Sequence, residues 1–174
     1  MFENGRIRVL EERVLQPDGS ASSYTVVEEL AGAVVIVAVD ERDRVVLLRQ
    51  HRYPIDAVTL EVPGGDVPFG QDPLVQARKE LRDEAGIDAG RIDVLGRFAP
   101  WPARVRRWSL AVRATELDLS HLAVDGQDGD ESIHDVRLYT RAELGELTAT
   151  GEIVDANTLC CLSLYWARFP SDQE

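Results

Sequence analysis

The chain has 174 residues, of which 44% are hydrophobic and 29% are charged, and these values predict one ordinary globular domain over residues 1–174. Its formal net charge of −12 argues against a general nucleic-acid-binding surface, since such surfaces are basic. No apolar run approaches the roughly 20 residues that a membrane-spanning helix needs.

The first residues carry no charged-then-apolar signal pattern. Cys160 and Cys161 are the only cysteines, and sequence neighbours make a poor structural disulfide, which favours a reducing compartment. Their apolar helical surroundings predict small, buried and inert thiols. We therefore expect a cytoplasmic protein without a membrane partner and without a nucleic-acid partner.

Alternation of polar and apolar residues predicts two strands within residues 6–30, separated by a turn at Pro17-Asp18-Gly19. An apolar run over 31–39 predicts a buried strand, and 44–50 predicts the next one. The later predicted elements are a helix at about 72–85, strands at 92–98, 108–112 and 136–139, and helices at about 141–147 and from the Asp155 cap to Phe169. Strands flanked by helices on separate faces predict a three-layer α/β arrangement.

The helix at 72–85 has recognisable ends and one apolar face. Asp72 is a good N-cap, Pro73 suits the first helical position, and Gly86 supplies a left-handed stop. An apolar stripe with helical spacing runs along it, formed by Leu74, Ala77, Leu81 and Ala85. We expect this stripe to pack on the core.

Three carboxylates share a neighbouring face of the same helix. Glu80, Asp83 and Glu84 stand at i, i+3 and i+4, and they follow a predicted tight turn at Gly64-Gly65 that ends a strand. A solvated acidic surface is one interpretation, because charge runs usually face water. The other is a site for Mg²⁺ or Mn²⁺, since these ions prefer oxygen ligands and would relieve the repulsion between the acids.

This stretch resembles the Nudix box. The box runs from a glycine, through a glutamate six residues later, to Arg-Glu-aliphatic-any-Glu-Glu-any-Gly-aliphatic. The positions that match it at the right spacing are Gly65, Glu80, Leu81, Glu84, Gly86 and Ile87. The resemblance implies that Glu80 and Glu84 bind the metal and act in catalysis, with Asp83 and the main-chain carbonyl of Gly64 as further metal ligands.

Three positions depart from the box. Gln71 stands in place of the first glutamate, Lys79 in place of the arginine, and Asp83 in place of the first glutamate of the pair. In the family, the arginine and the first glutamate help to hold the loop and the metal site. Gln71 lacks the charge and Lys79 lacks the planar fork. A Gln–Lys contact would tolerate both changes together, whereas loss of the original pair would weaken metal binding.

The resemblance implies a fold as well: the Nudix α/β/α sandwich with a mixed sheet and residues 1–30 as an N-terminal antiparallel β extension. In many relatives of the ADP-sugar pyrophosphatase type, that extension contacts a partner subunit. A homodimer is therefore expected, and an isologous dimer is also the commonest oligomer in general.

Short matches outside the box are similar to ADP-ribose pyrophosphatases. They are the strand end Val45–Pro54, Glu61–Gly65, and Gly151–Ala156 before the final helix. Pro102 lies 15 residues beyond the box, where a proline is associated with ADP-ribose specificity. The resemblance implies substrate-binding roles for Arg52, Arg49 and Glu61.

Arg52 is the main candidate for a substrate contact, because an arginine pairs with a phosphate through two hydrogen bonds or stacks on a base. An ordinary exposed arginine at a strand end is the alternative.

The acidic, glycine-containing stretch at 124–135 is the other candidate region. Relatives carry a glutamate there, which Glu131 matches, and such a carboxylate completes the metal shell or deprotonates water. Asp128 and Asp130 are alternatives to Glu131, and solvated loop acids are the other interpretation.

The predicted activity is metal-dependent hydrolysis of a nucleoside diphosphate linked to a sugar-like group, with a nucleoside monophosphate and a sugar phosphate as products. Two alternatives remain open. One is a Nudix pyrophosphatase for an NDP-sugar, a dinucleotide or a coenzyme A derivative. The other is an attenuated module that binds nucleotides, which the departures at Gln71 and Lys79 favour.

Overall fold

A computed structural model of the protein describes residues 1–122 and 133–170. Its strands are β1 (Phe2–Glu3), β2 (Ile7–Leu15), β3 (Ala21–Glu29), β4 (Gly32–Ala38), β5 (Val45–Arg52), β6 (Ala57–Glu61), β7 (Gly64–Val67), β8 (Asp88–Phe98), β9 (Val105–Arg106), β10 (Ser109–Asp118) and β11 (Ile133–Tyr139). Its helices are α1 (Pro73–Ala85), α2 (Arg141–Ala149) and α3 (Ala156–Arg168).

The centre of the fold is β4, whose side chains alternate between two hydrophobic clusters. Val34 and Ile36 belong to the cluster that contains the apolar stripe of α1. Val35 and Val37 belong to the cluster that contains α3 and Leu144 of α2. Because successive side chains of a strand point to opposite faces, the helices cover both sides of β4. The predicted three-layer α/β arrangement is confirmed.

The strands form three hydrogen-bonded sheets. The central sheet has the order β7-β4-β10-β8, in which β4 is parallel to β10 and antiparallel to β7. A second sheet, β11-β5-β6, is antiparallel throughout. The third, β1-β2-β3-β9, contains the N-terminal strands. The combination of parallel and antiparallel pairs makes the fold mixed, as expected.

The N-terminal extension is built around the hairpin of β2 and β3. The two strands pair antiparallel with Val9 opposite Val27, and Gly19 has a φ of 83° in the turn that joins them. This confirms the predicted strands and turn within residues 6–30. One detail differs, because the short strand β9 adds to β3 in parallel. The extension therefore contains a parallel pair as well as its antiparallel strands.

Gly64 and Gly65 lie in a strand, where a strand-ending turn was predicted. β6 ends at Glu61, the chain turns through Val62 and Pro63, and the two glycines begin β7. The need for glycine here is steric. A Cβ on Gly64 would lie 2.5 Å from the carbonyl oxygen of Val34 in the neighbouring strand β4, so a side chain does not fit. Glycine at this position reflects the close approach of two strands.

Three strands are longer than the hydrophobic pattern predicted: β8, β10 and β11, the last of which begins at Ile133. β8 and β10 continue past their apolar segments, and their pairing extends to Asp118 opposite Asp88. Ladder hydrogen bonds come from the backbone, so polar residues such as Arg91 and Thr115 remain paired. A register shift between Ala111 and Val112 interrupts the ladder and marks a bulge.

The two cysteines are free thiols in α3. Cys161 is buried and its sulfur lies 3.7 Å from the carbonyl oxygen of Val35, whereas Cys160 is half-buried. Burial raises the pKa of the Cys161 thiol, which keeps it protonated and unreactive. Within residues 1–122 and 133–170, no helix has the length and apolar character that crossing a membrane requires.

Candidate active site

Helix α1 carries the acidic residues, and its ends form as the sequence predicts. The Asp72 side chain accepts a hydrogen bond of 2.8 Å from the backbone N–H of Leu74, and Pro73 begins the helix. Gly86 ends it with a φ of 65° and donates its N–H to the last turn. Leu81 is fully buried in the core, so the register of the helix is fixed.

Glu84 is the most buried of the three acids, with only 3% of its surface exposed. Its Oε2 accepts a hydrogen bond of 2.8 Å from the backbone N–H of Gly64. Burying a carboxylate is costly unless it is hydrogen-bonded. The backbone N–H of Gly64 supplies such a bond.

Glu80 lies one turn earlier and directly against β7. A Cβ on Gly65 would stand 2.6 Å from Cδ, 2.7 Å from Oε1 and 2.9 Å from Oε2 of Glu80. The carboxylate therefore occupies the space that any other side chain at position 65 would need. Gln76, one turn before Glu80, donates a hydrogen bond from its amide nitrogen to Oε1.

Asp83 has a different neighbour. Its Oδ2 lies 2.7 Å from Nζ of Lys79, one turn back along the same helix. Both side chains are partly exposed, and Lys79 reaches the wall of the cleft described below. The structure thus brings Glu80 and Glu84 to β7 and places Asp83 beside Lys79.

Arg52 and Glu61 form a fork-to-fork pair at the ends of β5 and β6. Nε of Arg52 lies 2.9 Å from Oε1 of Glu61, and a terminal nitrogen lies 2.5 Å from Oε2. Thr59 donates its hydroxyl hydrogen to Oε1 as well. The Glu61 side chain is 7% exposed, whereas that of Arg52 is 43% exposed. The buried carboxylate therefore fixes the orientation of an accessible guanidinium.

The turn between Glu61 and Gly64 is held by neighbouring elements. Val62 donates its N–H to the hydroxyl of Thr158 at 3.0 Å, and Thr158 in turn donates to Asp155 at 2.8 Å. The carbonyl of Pro63 accepts from Ile36 at 2.8 Å. These bonds fix the positions of α3 and β4 relative to the turn that leads into β7.

A cavity of about 870 Å³ joins these parts. The predicted residues among those that line it are Arg52, Glu61, Gly64, Gln71, Lys79 and Glu80. Its volume falls within the range of about 300–1,000 Å³ that small-molecule sites occupy. The structure therefore brings Glu80 of α1 and Arg52 of β5 to one cleft, and Glu84 is hydrogen-bonded to Gly64 in its wall.

Arg6 and Arg107 also line this cleft, and neither was predicted to. Arg107 pairs with Glu29 and lies 3.4 Å from Asp66. The chain brings both arginines there through the N-terminal extension and the loop before β10. Arg107 belongs to a basic run in the sequence, but only the tertiary fold shows which member of the run faces the cleft.

Several predicted residues are not among the residues that line this cleft. Asp83 and Glu84 of α1 are not lining residues, although Glu84 is hydrogen-bonded to Gly64, which is one. Arg49 lines a separate cavity of about 520 Å³ with Val58, Asp135 and Arg137. Glu131 and its alternatives Asp128 and Asp130 lie outside the described residues.

The residues present suit a hard divalent cation. The described part of the chain contains no group of three or more His, Cys, Asp or Glu side chains that could hold a metal ion by themselves. Mg²⁺, however, is commonly bound by one or two carboxylates together with substrate phosphates and water. Glu80 and Glu84, both next to the glycines of β7, meet that requirement with oxygen donors only.

Sequence comparison identifies related proteins. The sequence model of the NUDIX domain matches residues 29–160. An ADP-ribose pyrophosphatase of Bacillus subtilis (strain 168) is 27% identical over 158 residues, which cover 91% of this chain and 84% of that protein. A methanol dehydrogenase activator of Bacillus methanolicus is 32% identical over 102 residues, which cover 59% of this chain and only 55% of that protein.

The fold has a counterpart among solved structures. A crystal structure of an ADP compounds hydrolase superposes with a TM-score of 0.82, covering 99% of this chain and 92% of that one. The two sequences are 17% identical, so this likeness concerns the fold alone.

Proposed function

The chain belongs to the Nudix family, and on this premise we propose that it hydrolyses ADP-ribose or a similar nucleoside diphosphate linked to a sugar-like group. The products would be a nucleoside monophosphate and a sugar phosphate. The observation that carries the proposal is that Glu80 and Glu84 lie against Gly65 and Gly64 respectively, and that Glu80 and both glycines line the same cleft as Arg52. The related ADP-ribose pyrophosphatase of Bacillus subtilis supports the substrate class.

A divalent cation is part of this proposal, with Mg²⁺ or Mn²⁺ as the ion. Glu80, Glu84 and the main-chain carbonyl of Gly64 would hold it, and Asp83 would assist from the next position of the acidic face. When bound, such an ion neutralises charge on the diphosphate oxygens and lowers the pKa of a coordinated water.

The protein's own contribution is to orient the reacting groups. Glu84 is held by the N–H of Gly64, and Glu80 is confined by Gly65, so both carboxylates are fixed before substrate binds. Preorganised groups of this kind lower the barrier because little ordering remains to be done in the reaction. Glu131 would accept the proton of the attacking water, a role that rests on the family resemblance alone.

Arg52 would hold the substrate. Its pair with Glu61 uses Nε and one terminal nitrogen, which leaves the plane of the guanidinium fixed at the cleft wall. A guanidinium held in this way can donate to a phosphate or stack on a base. Glu61 contributes to substrate binding through Arg52. A substrate contact for Arg49 rests on the family resemblance alone.

A second candidate function is nucleotide binding with attenuated catalysis. Gln71 lines the cleft without a charge, and Lys79 is paired with Asp83 within α1. The contact between positions 71 and 79 that holds the site in relatives is thus changed in both members. A different substrate, such as an NDP-sugar, a dinucleotide or a coenzyme A derivative, is the third possibility.

One substrate panel distinguishes these functions. Nucleotide or phosphate release is measured from ADP-ribose, NDP-sugars, dinucleotides and a coenzyme A derivative with Mg²⁺ or Mn²⁺, for the wild type and Glu84→Gln. We expect turnover of ADP-ribose by the wild type and a strong loss in the variant. If no substrate turns over and both proteins behave alike, the enzymatic function is wrong.

The double variant Gln71→Glu with Lys79→Arg tests attenuation separately. It restores the negative charge at position 71 and the planar guanidinium at position 79 on an unchanged scaffold. A large gain in kcat over the wild type would show that the natural site is attenuated. An unchanged or lower kcat would show that the Lys79–Asp83 pair is an adequate replacement.

An isologous homodimer through the N-terminal extension is also proposed. The extension carries the exposed apolar residues Phe2, Leu15 and Tyr24, of the kind that subunit contacts bury. Sedimentation equilibrium measures the oligomer, and a monomer at micromolar concentration would contradict the proposal. The cytoplasmic location and the absence of a nucleic-acid partner stay predictions from the sequence.

A further inference from the structure

Gln76 is a buried amide on the cleft side of α1, and the Nudix-box pattern assigns it no role. Only 8% of its surface is exposed, although it stands in a helix with many exposed polar residues. Its amide nitrogen donates to Oε1 of Glu80, and both side chains line the main cavity. A buried amide needs such a partner, because burying it without a hydrogen bond is unfavourable.

The carboxylate of Glu80 is therefore confined from two directions. Gly65 approaches so closely that a Cβ there would lie 2.6–2.9 Å from the Cδ, Oε1 and Oε2 atoms. The Gln76 amide fixes Oε1 from the preceding helical turn. A carboxylate with a close backbone neighbour and an oriented donor has fewer rotamers left to lose when it binds a ligand.

The chemistry of the donor matters. A lysine or arginine at position 76 would orient Glu80 but would also offset its charge and compete with a cation. A neutral amide orients the carboxylate and adds no positive charge of its own. Outer-shell hydrogen bonds of this type direct metal ligands in known sites, and their loss typically costs about 10–100-fold in affinity or activity.

We propose that Gln76 is a positioning residue that orients the Glu80 carboxylate toward the divalent cation. The inference rests on the proposed function, because it assigns Gln76 to the cation site of that function. Gln76 acts through Glu80 and touches neither substrate nor water in this role.

The test compares Gln76→Met with Val75→Met in the full-length protein. Methionine keeps the length of the glutamine side chain and removes the donor, and Val75 is exposed on the same helix. Gln76→Ala is a second variant that removes the amide without adding volume. Binding of Mn²⁺ is followed by the electron paramagnetic resonance signal of the free ion, and activity on ADP-ribose is titrated with Mn²⁺.

We expect Gln76→Met and Gln76→Ala to bind Mn²⁺ about 10-fold more weakly than the wild type. The Mn²⁺ concentration for half-maximal activity should rise by a similar factor, more than kcat falls. Val75→Met should match the wild type in both measurements. Unfolding temperatures are measured in parallel to identify any loss of folded protein.

Two results would overturn the inference. One is unchanged Mn²⁺ binding in both variants of Gln76. The other is a lower kcat and a lower unfolding temperature at unchanged Mn²⁺ affinity, which would make Gln76 a packing residue. Failure of the proposed function is a separate result: the wild type would bind Mn²⁺ but hydrolyse nothing, and the binding arm would still decide the role of Gln76.

Discussion

Glu84 and Glu61 are two nearly buried carboxylates close to the same cleft, and they are held in opposite ways. Glu84 accepts from a neutral backbone donor, the N–H of Gly64. Glu61 accepts both hydrogen bonds of a guanidinium, that of Arg52, and a third from the Thr59 hydroxyl. One carboxylate is hydrogen-bonded by a main-chain donor, and the other by a guanidinium and a hydroxyl.

This difference distinguishes the proposed cation site from the proposed substrate-binding arginine. A main-chain N–H orients a buried carboxylate without placing a positive charge of its own beside it. A buried ion pair is already complete and serves to hold its exposed member in place. Glu84 is therefore suited to bind a cation, and Glu61 is suited to position Arg52.

The largest expected effect is that of Glu84→Gln. Glutamine retains an oxygen that accepts from Gly64 but lacks the charge that attracts a cation. We expect kcat to fall by at least about 100-fold, since the loss of even an outer-shell group of a metal site lowers metal affinity or activity by about 10–100-fold. Steady-state kinetics with ADP-ribose and Mg²⁺ measures this change.

Glu61→Gln is the matched control for Glu84→Gln. It should change KM more than kcat, because Glu61 acts through Arg52. Equal losses of kcat in the two variants would remove the distinction between the two carboxylates.

A smaller loss is expected from Gly65→Ala. The added Cβ would lie 2.6 Å from Cδ of Glu80, so the carboxylate has to move. A displacement of about 1 Å in a catalytic group can cost about 100-fold in rate. We expect kcat to fall by about 10–100-fold while the protein stays folded, as measured by kinetics and thermal unfolding.

Gly145→Ala provides the control for Gly65→Ala. Gly145 lies within α2, and nothing stands within 4 Å of a Cβ built there. Alanine should stabilise the helix by about 1 kcal/mol and leave activity unchanged. Full activity of Gly65→Ala would show that Glu80 needs no fixed position.

Arg52→Lys should have a moderate effect. Lysine keeps the charge but cannot form the two parallel hydrogen bonds to Glu61. Its ammonium group is therefore not held in one fixed orientation as the guanidinium is. We expect KM for ADP-ribose to rise by about 10-fold, which corresponds to one charge-assisted hydrogen bond of about 1.4 kcal/mol. A change confined to kcat would contradict a substrate-binding role for Arg52.

The smallest effect is expected for the pair of Lys79 and Asp83. Lys79→Met breaks an exposed i,i+4 ion pair worth about 0.3–0.5 kcal/mol, which denaturant unfolding can measure. Asp83→Asn should cost a similar amount and change kcat by less than the Glu84→Gln variant does. If Asp83→Asn loses as much activity as Glu84→Gln, Asp83 is a metal ligand of equal importance.

Much of this arrangement was predictable from local sequence. Asp72, Pro73 and Gly86 determine where α1 begins and ends through short-range hydrogen bonds and backbone geometry, and the apolar stripe determines which face is buried. The predicted Nudix family and fold class are confirmed by the domain match and by the structural likeness. The predicted hydrolysis of an ADP-ribose-like compound agrees with the related enzyme of Bacillus subtilis.

The remainder depends on tertiary contacts that spacing does not encode. The sequence spacing assigns both Glu80 and Asp83 to the acidic face of α1. In the structure Glu80 lies against Gly65 of β7, whereas Asp83 pairs with Lys79. Nothing in the sequence separates Gln76 from a surface glutamine, yet only 8% of it is exposed in the structure. The sequence proximity of Arg49 to Arg52 likewise does not show that they line different cavities.

The short turn from β6 to β7 also bears on how the protein moves. Val62 donates to Thr158 of α3, Gly64 donates to Glu84 of α1, and Ile36 of β4 donates to the turn itself. Because the turn is hydrogen-bonded to three elements, it cannot bend without breaking its hydrogen bonds to α3, α1 and β4. Slow hydrogen–deuterium exchange at the amides of Val62 and Gly64 would therefore report that the cleft is rigid before any ligand arrives.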